Sequence, residues 1–312
     1  GPPDVLQLRD VEKPAPGDDE VLIKVCATTA HRGDVRIRSF DVPRGQWLIA
    51  RLVLGITRPR HPILGMELAG VVERVGKNVT RFKVDDEVFG FTGWKCGAYA
   101  EYACVREKPR WSIAMDGMLA VRPANMTLQE AAAGVATGGA TALRVLRKAN
   151  IRCGQKVLVY GASGSVGSYA TQLAKSFGAE VTGVCSTTNV ELVRSLGADH
   201  VIDYTQQDFA GSESYDVVFD AVDKLAPSQG KRAVKKSGIY LSVNSDSGSP
   251  GGGGPEGLAF LTALIEQGKV RTVIDRCYPL DQIVEAHRYV EQGHKKGHVI
   301  VSVAEEGAAC RV

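Results

Sequence analysis

Residues 156–167 read KVLVYGASGSVG, and residues 170–175 read ATQLAK. An apolar run typical of a buried strand is followed by three glycines and then by a helical pattern. Gly161 makes the turn, Gly164 lets the backbone approach a pyrophosphate, and Gly167 lets the helix pack closely on the sheet. The N–H groups at the start of the helix are available to phosphates. The stretch therefore predicts the first βαβ unit of a nucleotide-binding domain.

The alternative for these glycines is a packing turn without a ligand, and the pattern that follows disfavours it. A second strand-like run lies at 180–185, and further runs at 201–203, 216–220 and 238–243 alternate with helical patterns. Such alternation is typical of a parallel sheet covered by helices on both faces. Before Arg122 the chain shows short β-like runs broken by Gly and Pro. The predicted fold class is α/β, a Rossmann doubly wound parallel sheet with a compact β domain before it.

The composition is that of a globular protein with two domains. The chain has 312 residues, of which 44% are hydrophobic and 23% charged, and a net charge of +3 with scattered Lys and Arg. This charge gives no indication of a nucleic-acid partner. No apolar stretch approaches the roughly 20 residues of a membrane span, and the N-terminus carries no signal-peptide pattern. We expect a cytoplasmic protein with no membrane partner, whose seven cysteines are reduced thiols.

Several later segments are predicted from local patterns. Thr127 precedes a helix with Glu130 at its third position, which is a capping box. The glycine-rich residues 247–255 predict a mobile loop, and the tail 305–312 is expected to be frayed. We further predict helices at 258–267 and 280–292, and strands at 270–274 and 298–303.

A family resemblance is carried by the glycine turn together with six other segments: 64–72 (LGMELAGVV), 76–79 (GKNV), 82–88 (FKVDDEV), 97–102 (GAYAEY), 196–199 (LGAD) and 216–220 (DVVFD). With these segments the chain resembles the medium-chain dehydrogenase/reductase superfamily, and within it the zinc-free quinone oxidoreductase branch, which is zeta-crystallin-like. The resemblance covers nearly the whole chain. Relatives have one more strand before the pattern at Gly1, so we expect the native chain to begin earlier.

The resemblance implies a domain organisation. Residues 1–124 would form a GroES-like substrate and catalytic domain, and residues 125–265 a Rossmann NADP-binding domain. Residues 266–312 would complete the Rossmann sheet and return to the first domain. Nicotinamide and substrate would lie in the cleft between the domains. Relatives pair their Rossmann sheets through the strand that corresponds to 270–274, so a homodimer is expected.

Zinc alcohol dehydrogenases of this superfamily hold a catalytic zinc with a cysteine, a histidine before a glutamate, and a second cysteine. The matching positions here are His31, Met66 before Glu67, and Ala133. Catalytic zinc needs three protein donors, and a thioether is a poor ligand for it, so no metal is expected. Without a Lewis acid, hydride transfer to an electrophilic acceptor such as a quinone or an α,β-unsaturated carbonyl is favoured over alcohol oxidation.

The residues about 20 positions beyond the glycine turn indicate which nicotinamide cofactor binds. An Asp or Glu there usually holds the ribose 2′-hydroxyl, and a carboxylate would repel a 2′-phosphate. This chain has Ser186, Thr187 and Asn189 instead, which predicts NADPH. In many relatives a tyrosine at the position of Tyr204 lies beside that phosphate. The alternative is that 186–189 only cap the next helix.

Relatives often place a lysine or arginine in this loop, and this chain does not. The candidate sources of positive charge are Arg194, Lys295 and Lys296. The remaining positions assigned to the cofactor are Thr137, Gly161, Ser163, Gly164, Ser165, Val166, Gly167 and Asn244.

The catalytic candidates are His31, Arg36 and Thr141. His31 could hydrogen-bond a quinone oxygen or relay a proton, and a structural histidine is an equal alternative. Asp34 is expected to anchor its loop. Thr137 and Thr141 lie where the family contacts nicotinamide, unless they only bond their own helix backbone. Three aromatic residues could form an apolar substrate wall or belong to the core: Trp47, Phe91 and Trp94.

The leading hypothesis is therefore an NADPH-dependent, zinc-independent reductase of a quinone or α,β-unsaturated carbonyl, a small electrophilic acceptor. One alternative is a zinc-independent alcohol or carbonyl oxidoreductase. Another is an NADPH-binding scaffold with little turnover, because a fold does not fix a function. The acceptor is not identified, because the loop 40–62 has no recognisable chemistry.

Overall fold

The computed structural model describes residues 1–41, 45, 47–56, 59–110, 116–207, 214–246 and 254–303. The chain divides into two compact units, the first formed by Gly1–Ala136 with Ile274–Val312 and the second by Thr137–Val273. The sequence placed its boundaries after 124 and 265 instead. Of the predicted loop 247–255, residues 247–253 are not among the described residues. The predicted tail 305–312 lies wholly outside them.

The strands are β1 (Glu20–Ala30), β2 (Glu67–Val75), β3 (Glu87–Phe91), β4 (Tyr102–Arg106), β5 (Met118–Val121), β6 (Lys156–Tyr160), β7 (Glu180–Cys185), β8 (His200–Asp203), β9 (Tyr215–Asp220), β10 (Val234–Ser242), β11 (Ile274–Pro279) and β12 (His298–Ser302). The helices are α1 (Arg32–Ser39), α2 (Trp47–Leu54), α3 (Leu128–Ala132), α4 (Ala140–Ala149), α5 (Ser165–Ser176), α6 (Val190–Ser195), α7 (Pro227–Ala233), α8 (Val243–Asp246), α9 (Pro255–Glu266) and α10 (Ile283–Glu291).

The first unit is built on a seven-stranded sheet with the order β11-β12-β1-β2-β3-β5, in which β4 also pairs with β1. β1 is antiparallel to β2, β4 and β12, so this one strand joins the two ends of the chain. Val21, Ile23 and Val25 are fully buried on one face of β1, where they pack with Leu68 and Val88. In a second core of this unit, Ile283, Ala286 and Val290 of α10 pack with Val299 and Val301 of β12.

The second unit is a five-stranded parallel sheet with the order β10-β9-β6-β7-β8. β6 is central, and Val157, Leu158 and Val159 on it are fully buried. The first strand thus lies between the second and the fourth, which is the Rossmann arrangement. The predicted α/β fold class, a doubly wound parallel sheet with a β domain before it, is confirmed.

The predicted capping box before α3 is confirmed. The Thr127 hydroxyl accepts from the Glu130 N–H at 3.1 Å, and the Glu130 carboxylate accepts from the Thr127 N–H at 2.7 Å. The helix ends at Ala132, and Gly134 then leaves the helical conformation with φ +75°. Only glycine fits there, because an added Cβ would lie 1.8 Å from Cε1 of His298. A π-helical turn over Val135–Gly139 follows and leads into α4.

Two segments and one cysteine differ from the sequence-based expectation. The strand predicted at 270–274 begins only at Ile274 and pairs in the sheet of the first unit. Residue 271 instead bonds to a side chain: the Gln172 amide donates to the Arg271 carbonyl and accepts from its N–H, both at 2.9 Å. The apparent loop 40–62 contains α2, whose helical span has no capping motif in the sequence. Cys277 is disulfide-bonded, whereas Cys26, Cys96, Cys104, Cys153 and Cys185 are the expected free thiols.

Candidate functional site

The glycine turn connects β6 to α5, and its backbone closes tightly on itself. Gly161 has φ +79°, and its carbonyl accepts from the Gly164 N–H at 3.0 Å. A Cβ built on Gly167 would lie 2.1 Å from that same carbonyl oxygen, so no side chain fits there unless α5 moves. A Cβ on Gly164 would meet its nearest described atom at 3.4 Å, an ordinary contact. Gly167 is therefore required by packing, whereas Gly164 leaves open space beside the turn.

The start of α5 faces this space. Gly164 is the N-cap, no described side chain caps the helix, and its first turn holds no acidic residue. Ser165 and Val166 form the beginning of that turn. The first N–H groups of a helix have no intrahelical acceptor and carry the positive end of the helix dipole. The residues present therefore fit the pyrophosphate of a dinucleotide such as NADPH.

The predicted cofactor residues of the second unit follow the carboxyl ends of successive parallel strands. The glycine turn follows β6, Ser186 follows β7, Tyr204 follows β8 and Asn244 follows β10. In parallel sheets these ends share one edge, which is where ligands bind in doubly wound folds. The structure thus places these residues along a single edge of the sheet.

Asn189 links the glycine turn to the loop after β7. Its buried amide donates to the Ser163 hydroxyl at 3.1 Å and to the Ser186 hydroxyl at 3.2 Å. Because Ser186 accepts from Asn189, its own proton can be donated elsewhere. Ser186 and Asn189 occupy the N-cap positions of the following 3-10 turn and of α6, but neither side chain makes a capping hydrogen bond there.

Asp203 is a residue that the sequence reasoning missed. It pairs with Cys185 in the β7–β8 register, and its carboxylate accepts from the Thr187 hydroxyl at 2.5 Å. The Thr205 hydroxyl and N–H donate to it at 2.7 and 2.9 Å. The hydrogen bond from Thr187, with those from Thr205, lowers the pKa of this carboxyl. The Thr187 proton is therefore committed to Asp203, and Ser186 is the better donor for a 2′-phosphate.

The other residues predicted near the 2′-phosphate are placed as follows. Tyr204 is half exposed, with its ring 6.3 Å from that of Tyr160. Arg194 forms an exposed ion pair with Glu191 at 2.5 Å. The two lysines proposed as sources of charge, Lys295 and Lys296, belong to the first unit.

Asn244 is held by a second missed aspartate. The Asn244 amide and the Ser242 hydroxyl both donate to the Asp223 carboxylate, the latter at 2.7 Å. Asp223 has φ +55°, and its N–H donates at 2.8 Å to the buried Asp220, which also accepts from the N–H of Leu225. Burial raises the pKa of Asp220, although these hydrogen bonds oppose the shift. The loop after β9 is therefore fixed by its own carboxylates.

Thr137 and Thr141 lie where the chain enters the second unit. Thr137 belongs to the π-helical turn and Thr141 to the first turn of α4, and both are partly exposed. Single π turns inside helices occur frequently at functional sites. Their predicted contact with nicotinamide stays a prediction.

In the first unit, His31 caps α1. Its Nδ1 accepts from the Asp34 N–H at 3.1 Å, and the Asp34 carboxylate accepts from the His31 N–H at 3.3 Å. The same Nδ1 lies 3.1 Å from the Asp34 carboxylate, and no described residue hydrogen-bonds to Nε2. Asp34 is fully buried, and burial raises the pKa of its carboxyl. Both the structural role of His31 and a free Nε2 follow from this geometry.

The surroundings of His31 contain the positions that match zinc ligands in relatives. A Cβ built on Gly33 would lie 2.6 Å from Cε1 of His31 and 3.5 Å from Sδ of Met66, so the thioether lies near the imidazole. Met66 and Ala133 are buried. Among the described ranges, no cluster of three or more His, Cys, Asp or Glu residues has the arrangement of a metal site.

The remaining candidates of the first unit differ in exposure. Arg36 is exposed on α1. Trp47 is 49% and Trp94 40% exposed, so the alternative that they are core residues is wrong, whereas Phe91 is partly buried. In the part of the chain that the structure describes, none of the helices has the length and apolar character needed to cross a membrane.

Comparison with known proteins gives consistent matches. A family model described as Alcohol dehydrogenase GroES-like domain matches residues 17–117, and one described as Zinc-binding dehydrogenase matches residues 196–301. The chain is 35% identical over 322 residues to the 2-methylene-furan-3-one reductase of Solanum lycopersicum, covering 96% of this chain and 76% of that protein. It is 33% identical over 316 residues to the chloroplastic NADPH-dependent alkenal/one oxidoreductase of Arabidopsis thaliana, with the same coverage of 96% and 76%.

A solved structure is similar over the whole chain. The quinone oxidoreductase from Coxiella burnetii superposes with a TM-score of 0.81 at 28% sequence identity, covering 97% of this chain and 96% of that one.

Proposed function

Because the chain belongs to the medium-chain dehydrogenase/reductase superfamily, in its quinone oxidoreductase-like branch, we propose that it reduces a quinone or an α,β-unsaturated carbonyl with NADPH. Relatives over nearly the whole chain are named as an NADPH-dependent alkenal/one oxidoreductase and a 2-methylene-furan-3-one reductase. Both names refer to compounds that carry a carbon–carbon double bond and a carbonyl group.

The observation that carries the proposal is Gly164 at the start of α5, where the N-cap residue has no side chain and an added Cβ would make only ordinary contacts. α5 packs so closely on the turn that a Cβ added at Gly167 would lie 2.1 Å from the Gly161 carbonyl oxygen. At Gly164 the absence of a side chain keeps space in front of the first N–H groups of α5. A pyrophosphate accepts hydrogen bonds from such a site without any charged side chain. The donors after β7 then lie along the same sheet edge, where they can meet the 2′-phosphate.

NADPH would supply a hydride when bound, and the following roles are proposed for the residues of the chain. The glycine turn and α5 hold the pyrophosphate. Ser186, oriented by Asn189, donates to the 2′-phosphate, and Asp223 keeps Asn244 in place at the end of β10. Thr137 and Thr141 orient the nicotinamide. Positioning of this kind, rather than covalent catalysis, provides most of the rate.

His31 is the proposed proton donor on the substrate side. Its Nδ1 is occupied by the Asp34 N–H, so Nε2–H is the atom available to the acceptor oxygen. Arg36 is the proposed source of positive charge for the oxygen that becomes an enolate or hydroquinone oxygen. A hydrogen bond to that oxygen stabilises the developing negative charge.

We propose that the reaction needs no zinc, because Met66 and Ala133 stand at two of the three ligand positions. Activity is then expected to survive exhaustive chelation, with no stoichiometric zinc in the purified protein. One tightly held zinc per chain, measured by metal analysis, would overturn this proposal.

A homodimer and a cytoplasmic location are also proposed. The edges of the parallel sheet are β10 and β8, and an exposed sheet edge favours pairing with a second copy. Light scattering at micromolar concentration checks the dimer, and fractionation of the source cell checks the location. Relatives include chloroplastic and mitochondrial proteins. Recovery of the protein in an organellar fraction would therefore contradict the cytoplasmic location.

The deciding experiment measures NADPH consumption with a panel of quinones, enones, aldehydes and ketones. Turnover of quinones or enones well above that of the saturated carbonyls supports the proposal. Preference for aldehydes and ketones would instead favour the carbonyl oxidoreductase. Tight NADPH binding by calorimetry without turnover of any acceptor would favour the scaffold.

A further inference from the structure

Residues 32–60 are distinctly basic. They contain seven arginines, two aspartates and neither lysine nor glutamate, hence a net charge of +5, whereas the whole chain carries +3. The rest of the chain therefore sums to −2. Positive charge is therefore concentrated in this one segment, in which Arg38 is buried and paired with Glu291 of α10 while the other described arginines are at least partly exposed.

The same segment exposes large apolar side chains. Trp47, Leu48 and Leu52 of α2 are 49%, 66% and 50% exposed, and Ile56 just beyond the helix is 65% exposed. Positions 47, 48 and 52 fall on one side of a helix with 3.6 residues per turn. Single exposed apolar residues are ordinary, but four within ten residues form a patch of the kind that contacts a partner or a membrane.

An arginine is held within this apolar face. The Arg51 guanidinium lies 4.2 Å from the Phe40 ring centroid and 5.4 Å from that of Trp47, and it donates to the Ile56 carbonyl at 3.2 Å. The Arg60 N–H donates to the Leu54 carbonyl at 2.9 Å, which places this exposed arginine at the end of α2. Cationic groups thus border the apolar side chains rather than lie apart from them.

We propose that this α2 surface, formed by Trp47, Leu48, Arg51, Leu52, Ile56 and Arg60, docks on an anionic lipid bilayer. A helix with apolar side chains, a tryptophan and flanking arginines is typical of one that lies at the boundary between headgroups and acyl chains. Arginines there gain further attraction from anionic headgroups. The eight residues of α2 extend about 12 Å, which is too short to cross the apolar core of a bilayer, about 30 Å thick. In the proposed docking α2 therefore lies along the bilayer surface.

Two other occupants fit this surface less well. A symmetric contact with a second copy would bring two positively charged segments together, and their mutual repulsion opposes it. A nucleic acid would meet the arginines but would leave the leucines and Ile56 without apolar contacts. A bilayer satisfies both the charge and the apolar area. It also concentrates apolar acceptors, although the docking itself does not depend on the proposed reaction.

The test is sedimentation of the protein with vesicles of phosphatidylcholine alone and of phosphatidylcholine mixed with phosphatidylglycerol. We expect binding to the anionic vesicles that weakens with salt, and little to the neutral ones. Leu48→Ser with Leu52→Ser should lower the partition coefficient at least tenfold. The matched control, Val5→Ser with Leu8→Ser, removes two similarly exposed apolar residues elsewhere in the same unit and should stay within twofold.

The charge contribution is tested separately. Arg60→Gln should weaken binding about fivefold, the effect of one basic residue near an anionic surface, whereas the control Arg9→Gln should not. Should the double leucine variant fail to fold in a melting curve, brominated lipid gives a second measurement on the unaltered protein. It should quench tryptophan emission, and Trp47→Phe should abolish most of that quenching.

The proposal is overturned by any of four results. The first is no binding to anionic vesicles, and the second is binding that the leucine variant leaves unchanged. The third is a leucine variant that instead loses self-association in light scattering. The fourth is displacement of the protein from vesicles by DNA, which would assign the arginines to a nucleic acid. All four read binding rather than turnover, so they are independent of whether the reductase activity is found.

Discussion

Replacing Gly167 by alanine and, separately, Gly164 by alanine is expected to have opposite consequences, although both glycines belong to one turn. At Gly167 the new Cβ would lie 2.1 Å from the Gly161 carbonyl oxygen and 2.9 Å from the Ala162 Cα. Both neighbours are backbone atoms and cannot rotate away. At Gly164 the new Cβ would meet Gly161 O at 3.4 Å and Val222 Cγ1 at 3.8 Å, which needs no rearrangement.

The magnitudes follow from these distances. Relieving the contact at Gly167 requires α5 to shift by about 1 Å, and overpacking of this kind costs about 2 to 4 kcal/mol. The corresponding loss in Tm is about 5 to 15 °C. Alanine is a poorer N-cap than glycine at Gly164 by about 0.5 to 1 kcal/mol, and the reduced freedom of the unfolded chain offsets this by a similar amount. Stability should therefore change by less than about 1 kcal/mol.

Cofactor affinity, unlike stability, should be lowered by the substitution at Gly164. In the Gly164→Ala variant the methyl group occupies the space in front of the N–H groups of α5, and we expect a loss in NADPH affinity of at least about tenfold, or about 1.4 kcal/mol. Calorimetric titration with NADPH, together with a melting curve on the same preparation, measures both quantities. Unchanged NADPH affinity in a folded Gly164→Ala variant would refute the assignment of this space to the pyrophosphate. An unchanged Tm for Gly167→Ala would refute the packing argument.

Three further outcomes are expected. Ser186→Asp should shift the preference from NADPH toward NADH, since the new carboxylate repels the 2′-phosphate by about 1 to 3 kcal/mol; titration with both cofactors checks this, and an unchanged ratio of affinities contradicts it. His31→Ala should lower turnover by about one to three factors of ten with nearly unchanged NADPH affinity, and should also cost about 1 kcal/mol of stability because the cap of α1 is lost. His31→Asn is the matched control, because asparagine keeps a cap but removes the imidazole proton, so turnover equal to that of the unaltered protein would leave His31 a structural residue. His287 lies on α10 and is fully buried, which lowers its pKa to about 3. Below pH about 6.5 the unfolded chain therefore binds a proton that the folded protein does not, and the free energy of unfolding should fall toward acid by up to about 1.4 kcal/mol per pH unit. Denaturant unfolding measured across this pH range should show that the free energy of unfolding depends less steeply on pH in His287→Gln. The same pH dependence in both proteins would contradict the lowered pKa of His287.

The sequence by itself determined the features that depend on neighbours along the chain. The glycine turn of residues 161–167 and the capping box of Thr127 and Glu130 are encoded within a few positions, because a backbone turn or a helix cap is satisfied by local atoms. The alternation of strand and helix patterns likewise predicted the parallel sheet. The resemblance added the GroES-like domain and the superfamily.

The tertiary structure decided which distant residues became partners. Asp203 reaches Thr187 only because β8 pairs with β7 in the register that sets it opposite Cys185, and Asp223 reaches Asn244 only because β9 and β10 are neighbours. Sheet order and register are set by the packing of the whole chain, and no local pattern contains them. The same reason explains the segment before Ile274, where the Gln172 side chain takes the hydrogen bonds that a sheet neighbour would have supplied. Local propensity thus specified the elements, whereas long-range packing specified the contacts between them.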